Sequence, residues 1–240
     1  MNKIFILIII IIFVVIYQYY TINTICYKEP EYFIYQGKTP GPTILIVATT
    51  HGNEPGGYYA IRGIMDQLNQ QKISLIKGRI IFVPIVNYCG YQLNNREHNT
   101  VGDINRLYLE GTNMNIINDL VIRLSKEADF IVDFHEGWDF NKMNNLSLGS
   151  TITPSQTKIS KEVAKLVVNN INQNITESNK KFSVIKYQKC IGTLTDYYQM
   201  NKDYILIELT GQNDIQPKEL RKNQGMSSIK TVLNYFDLIQ

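Results

Sequence analysis

Cysteine is scarce: there are three in 240 residues, and none stand in a CxxC spacing. Three thiols cannot all pair with one another, which excludes a disulfide scaffold and a cysteine zinc knot. An excess of one charge is also missing. Lys plus Arg minus Asp plus Glu is 24 − 21 = +3. Lys3 and Lys28 lie in the first 28 residues, which hold no acid, so the remainder carries 22 − 21 = +1. A near-neutral domain gives no electrostatic footprint for nucleic acid. Charged residues at 19% and hydrophobic residues at 44% exclude a disordered chain. No internal repeat is visible. The length suits one domain with a sizeable core plus a short extra segment.

That extra segment is the amino terminus. Residues 4–17, IFILIIIIIFVVIY, form an apolar run with Lys3 before it and Tyr19 and Tyr20 after it. A positive flank, an apolar stretch and interfacial tyrosines are the pattern of a membrane segment. The run falls between the roughly 7–15 residues of a signal-peptide core and the roughly 20 of a full crossing. No small-x-small cleavage site follows it. We therefore expect residues 1–28 to be an uncleaved membrane anchor, with secretion after cleavage as the alternative. The domain at 29–240 is expected on the non-cytoplasmic side.

Within that domain, buried strands alternate with helical periods. TILIVAT (43–49), RIIFVPIVN (79–87), ADFIVDFH (128–135), FSVIKY (182–187) and YILIELT (204–210) read as strands. Helices are expected to about residue 70, over 113–127, 155–173 and 217–238, with a short one over 192–201. The stretch from 88 to 112 reads as polar and irregular. This alternation predicts an α/β three-layer sandwich around a mostly parallel mixed sheet.

Ligands in such folds bind beyond the carboxyl ends of the strands. The first strand ends in His51 and Glu54, the second leads to Arg96, Asn105 and Arg106, the third ends in His135 and Glu136, and the last carries Glu208. Histidine is rare here, with three in the chain, and two stand at these ends. His-x-x-Glu plus a distant His is a ligand set for catalytic zinc: it holds the ion and leaves a position for water. Asp133, two residues before His135, is placed to orient that imidazole as an acceptor. A metal-bound water needs a general base. Glu208 is a candidate because a carboxylate in an apolar strand is costly without a role. Glu136, next to a ligand, is the rival. Arg96, Asn105 and Arg106 supply donors suited to a carboxylate or an oxyanion, or else a brace to Asp103.

HGNEPGG, then N-x-x-G with Arg96 downstream, GDINRLY, DFHEG and IELTGQ occur in this order over about residues 43–212. Together they resemble the zinc carboxypeptidase superfamily, including its succinylglutamate desuccinylase and aspartoacylase branch. The resemblance implies a zinc carboxypeptidase-like fold and one zinc per chain on His51, Glu54 and His135. It implies that Glu208 is the general base and that Arg96 polarises the substrate carbonyl. It implies that Asn105 and Arg106 bind the substrate carboxylate. YQKCIGTL looks like the family's mobile tyrosine loop, which makes Tyr187 a cap over substrate, with Tyr197 or Tyr198 as alternatives. Leu194 and Thr195 fall where peptidases shape an uncharged side-chain pocket. The branch's usual carboxy-terminal β domain has no counterpart in the helical residues after Glu208.

The expected function is hydrolysis of an amide bond next to a free carboxylate. A metallocarboxypeptidase stands first, and an N-acyl-amino-acid deacylase second. The partners are then a peptide or N-acyl amino acid and the membrane, with no nucleic acid. A non-catalytic, membrane-anchored binding module is the alternative of another class, and the intact ligand and base set argues against it.

Overall fold

One mixed sheet of seven strands lies between two layers of helices. The computed structural model describes residues 3–25, 29–109, 111 and 114–240, with side chains of the first helix from 5 to 17. In chain order the elements are α1 (Lys3–Ile25), β1 (Phe33–Gln36), β2 (Thr39–Ala48), α2 (Gly56–Asn69), β3 (Lys77–Val83), α3 (Tyr88–Leu93), α4 (Ile116–Glu127), β4 (Phe130–Gly137), β5 (Thr151–Pro154), α5 (Lys158–Asn172), β6 (Ser183–Val184), α6 (Leu194–Tyr198), β7 (Asp203–Thr210) and α7 (Lys218–Tyr235).

The strand order is β1-β3-β2-β4-β7-β5-β6. β2 runs parallel to β3 and β4, β4 to β7, and β5 to β6. The antiparallel pairs are β1 with β3 and β5 with β7. The mostly parallel α/β sandwich expected from the alternation is the observed fold. β2 leads to β3 on one side, and β3 leads back across it to β4 on the other. The carboxyl ends of β2 and β4 therefore border the crevice where such sheets bind ligands.

Strand side chains alternate between faces, so parity assigns each residue to a layer. Ile44, Ile46, Phe130, Val132, Phe134, Ile205 and Ile207 share a core with residues of α2, α5 and α7. Leu45, Val47, Ile131, Tyr204 and Leu206 share the other core with residues of α4 and α6. Both faces are covered, which is why these strands read as continuous apolar runs rather than alternating ones. Asn115 caps α4 by accepting from the backbone N–H groups of Ile117 and Asn118, and Thr157 caps α5 through Ser160.

Two elements are not visible in the sequence pattern. β5 is four residues long and ends in Pro154, so it has neither the length nor the composition of a strand. α3 is a six-residue helix inside the stretch that reads as irregular, opened by Asn87 accepting from Gly90 N–H. At the amino terminus, α1 is helical and most of its described apolar side chains, from Phe5 to Tyr17, are exposed. Among the described residues, no helix is long and apolar enough to cross a membrane. The side chains of Lys3, Tyr19 and Tyr20, and Lys28 altogether, lie outside the described residues.

Candidate active site

β2 ends at Ala48, and the chain turns through Thr49, which has a φ of 59°. The loop closes with Glu54 N–H donating to His51 O at 3.1 Å, which puts both side chains on one side. His135 arrives from the end of β4. Its Nδ1 lies 3.0 Å from His51 Nδ1 and 2.9 Å from Glu54 Oε2, and His51 Nδ1 lies 3.0 Å from Glu54 Oε1. All three residues are buried, and among the described residues they form the one His/Cys/Asp/Glu group that could hold a metal ion. Two imidazole nitrogens and a carboxylate converging on one point fit a zinc-type ion with bonds of about 2.0–2.2 Å.

The outer nitrogens are held by carboxylates. His51 Nε2 lies 3.2 Å from Asp103 Oδ1, and His135 Nε2 lies 3.6 Å from Asp133 Oδ2. Such partners fix which nitrogen faces the metal. Burial opposes charge on Glu54, but His51 and then His135 outweigh it and hold this carboxyl well below the usual range. Asp103 is likewise held low against its burial, by His51 and then by Arg96 and Arg106. Burial works against protonation of His135, yet Asp133 and then Glu54 lift it well above an ordinary histidine.

Three donors brace Glu54 from behind. Arg96 Nη1 reaches Oε1 at 3.2 Å, Gln212 Nε2 reaches Oε1 at 2.9 Å, and the backbone N–H of Glu136 reaches Oε2 at 3.1 Å. Arg96 also reaches Asp103 Oδ2 at 3.3 Å, so it does make the expected brace while lining the cavity. Glu136, the rival base, is not available for that task. Its fully buried carboxylate accepts from Arg221 of α7 at 3.1 and 3.2 Å. Burial, partly offset by Arg221, pushes Glu136 up to about 7. A Cβ on Gly211 would come within 2.1 Å of the same carboxylate, so a side chain there would displace the Glu136–Arg221 pair.

Glu208 and His135 are paired in register on β7 and β4, and parity turns both side chains the same way. Glu208 is only 8% exposed, and its burial pushes it up to about 8, with His135 opposing. The two face a cavity of about 270 Å³ that is also lined by Arg96, Asn105, Arg106 and Tyr187. Asn105 accepts Leu194 N–H on its Oδ1 at 3.0 Å, which leaves its Nδ2 toward His135 Nε2 at 3.5 Å. Arg106 is exposed and forms no ion pair among the described residues. Gly192, at a φ of 83°, lets the next turn pack on this pair; a Cβ there would meet Arg106 O at 2.3 Å. Tyr187 donates to Asp196, and burial followed by that bond lifts it to about 12.

Eight of the nine expected site residues thus line one cavity, and the ninth, Asp133, stands behind His135. Tyr198 does not line it: it is buried and bonded to Ser125, and Tyr197 packs on the core beside it. Of the expected pocket pair, Thr195 lines the cavity, whereas Leu194 belongs to the core. Sequence reasoning missed Gln212 and Arg221. Gln212 closes the IELTGQ motif and was legible as a polar residue just past a site strand. Arg221 carries no such signal, because helical periodicity does not mark a buried cation.

Residues 40–236 match the family described as succinylglutamate desuccinylase/aspartoacylase catalytic domain. In structure the chain is similar to the tripeptide-bound cell shape determinant Csd4 of Helicobacter pylori. The TM-score is 0.71 at 19% identity, over 88% of this chain and 56% of that one. It is also similar to a succinylglutamate desuccinylase of Silicibacter sp., with a TM-score of 0.63 at 21% identity, over 87% and 61% of the two chains. A third likeness, to the product-bound ectoine utilization protein EutE (DoeB) of Ruegeria pomeroyi, has a TM-score of 0.62 at 21% identity, over 87% and 61%. At these identities the likeness is one of fold. The chain spans a little over half the length of the Csd4 chains it matches. No curated relative matches the sequence. The family match over most of the chain, on a sheet whose strand ends gather these residues, shows that the protein belongs to the succinylglutamate desuccinylase/aspartoacylase catalytic-domain family.

Proposed function

We propose that this protein is a zinc-dependent hydrolase that cleaves an amide bond next to a free carboxylate, acting as a metallocarboxypeptidase. One observation carries this reading. His51, Glu54 and His135 converge in the same cavity that Glu208 and Arg106 line, and among the described residues Arg106 forms no ion pair. A zinc ion held by the three ligands supplies a Lewis acid and a bound water of lowered pKa.

The chain's own groups do the rest. Glu208 takes a proton from the attacking water and returns it to the leaving nitrogen. Arg96 donates to the carbonyl oxygen as charge develops there. Arg106, with Asn105 Nδ2, binds the substrate carboxylate through its planar fork. Tyr187 leaves Asp196 to cover the bound substrate. One Csd4 structure is described as a D,L-carboxypeptidase with mDAP bound, which supports the peptidase reading. A deacylase acting on N-acyl amino acids is the second reading, favoured by the family match itself.

The test uses the full chain and its Glu208→Gln variant. Zinc is measured by elemental analysis, and turnover is followed on blocked dipeptides and N-acyl amino acids. We expect about one zinc per chain in both proteins, and turnover lowered by about 10²–10⁴-fold in the variant. The preferred substrate separates peptidase from deacylase. Absence of zinc from both proteins would sink the reading and favour a binding module.

We also propose that residues 1–28 tether the hydrolase domain, 29–240, on the non-cytoplasmic side of a membrane. The exposed apolar side chains from Phe5 to Tyr17 support this. Retention in alkali-washed membranes and cleavage by external protease would be the expected results; full release into the soluble fraction would refute the tether.

A further inference from the structure

A buried polar thread runs beneath the metal-ligand group. Tyr204 of β7 is wholly buried, and its hydroxyl donates to Asp133 Oδ2 at 2.8 Å. The same hydroxyl lies 2.9 Å from Thr195 Oγ1, and Thr195 lines the cavity. Asp133 Oδ2 in turn faces His135 Nε2 at 3.6 Å. Register accounts for the geometry. Tyr204 pairs with Ile131, two residues short of Asp133 on the same face of β4, so a phenol at that step reaches the carboxylate.

Among the described residues, the Tyr204 hydroxyl makes the shortest side-chain contact to the Asp133 carboxylate, with the His135 ring beyond it at 3.6 Å. Asp133 Oδ1 is buried without a hydrogen-bond partner, and the nearby hydroxyl of Tyr108 is buried without one as well. Burial and the adjacent Asp133 keep Tyr204 protonated well beyond the ordinary tyrosine range, so it stays a donor. A phenol has one proton. With that proton spent on Asp133, the Thr195 hydroxyl must donate to Tyr204. The direction of the thread is therefore fixed from the cavity wall inward: Thr195 to Tyr204 to Asp133.

We propose that Tyr204 is a positioning residue for the metal: it aims Asp133 at His135 Nε2 and so presents His135 Nδ1 to the ion, with Thr195 setting the direction of its proton. This rests on the zinc reading above. Carboxylate partners of ligating histidines typically contribute about 10–100-fold in metal affinity. A tyrosine whose hydroxyl donates to such a carboxylate is expected to act through the same path.

The experiment is zinc affinity of the full chain, by competition with a chromophoric chelator, alongside thermal unfolding. Tyr204→Phe keeps the ring and removes the oxygen; its zinc affinity is expected to fall about tenfold. Adding Tyr204→Phe to Asp133→Asn is expected to cost nothing further, because both act through one path. Thr195→Val is expected to lose about threefold, and Thr195→Ser to regain parental affinity. Parental affinity in Tyr204→Phe with a lowered Tm would overturn the proposal and leave a packing role. So would losses that add in the double variant. If Tyr204→Phe does not fold, equal affinities in Thr195→Val and Thr195→Ser would overturn it. A parent that binds no zinc would instead bring down the zinc reading, and this proposal with it.

Discussion

On β4, Phe130, Val132 and Phe134 enter the core shared with α2, α5 and α7, while Ile131, Asp133 and His135 turn toward the layer of α4 and α6. β7 repeats the division: Ile205, Ile207 and Leu209 go one way, and Tyr204, Leu206 and Glu208 the other. The first face stays apolar along β7, and along β4 as far as Phe134; the last β4 residue on that face is Glu136, buried and paired with Arg221 of α7. The second starts apolar and turns polar in its last residues, where it meets the cavity. Neighbouring residues on one strand thus belong to different tasks. The comparison teaches where each kind of damage should register. A change on the first face should appear as lost stability, and a change at the end of the second as lost binding or turnover.

Phe134→Ala gives the largest expected effect on stability. The residue is 1% exposed and packs beside Gly57, where an added Cβ would come within 2.3 Å of its own. Truncation there leaves a cavity and should cost about 3–5 kcal/mol. The urea midpoint should drop accordingly, while the folded fraction binds zinc as the parent does. Loss of zinc from protein that is still folded would break the division between faces, because Phe134 precedes His135 directly.

Arg106→Met tests the other side with a smaller effect. The residue is exposed, so the unfolding free energy from urea titration should stay within about 0.5 kcal/mol of the parent. A charge-assisted hydrogen bond to substrate is worth about 1.5–3 kcal/mol, so kcat/KM should fall about 10–150-fold, mostly through KM. An amidated substrate lacks the carboxylate and should be equally poor for both proteins. An equal loss on the amidated substrate would show that Arg106 does not bind that group.

Much of this division was legible in the sequence, for a physical reason. Continuous apolar strands such as TILIVAT mark a sheet covered on both faces, and ionisable residues at their ends mark the ligand edge. His51, Glu54, His135 and Glu208 sit at such ends, so they could be picked out one by one. What could not be read was which residues brace them. Arg221 lies 85 positions from Glu136, on a helix whose sequence gives no sign of a buried cation. Tyr204 looks like an ordinary strand aromatic until the register sets it beside Asp133. Strand β5 was missed because four residues ending in proline satisfy no strand pattern, yet it pairs Thr151 with Glu208 beside the cavity. Strand ends carry their own signal, but partners brought together by the fold do not.

Gln212 gives the smallest effect and sharpens the comparison most, because it touches Glu54 from outside both cores. Its Nε2 donates to Glu54 Oε1 and to Glu136 O, in a turn just past β7. Gln212→Leu removes that donor but leaves Glu54 with Arg96 and the Glu136 N–H. With two of three donors kept, zinc affinity should fall by no more than about tenfold, and stability should change little. Gln212→Glu differs in kind. It sets a second carboxylate against Glu54, and like charges at hydrogen-bond distance repel in a buried site. Its loss in zinc affinity should exceed that of Gln212→Leu, as read by chelator competition on the two variants. The reverse order would mean that Gln212 acts by filling space rather than by donating. The edge of the cavity would then follow the packing rule of the apolar face, not the hydrogen-bond rule assigned to it here.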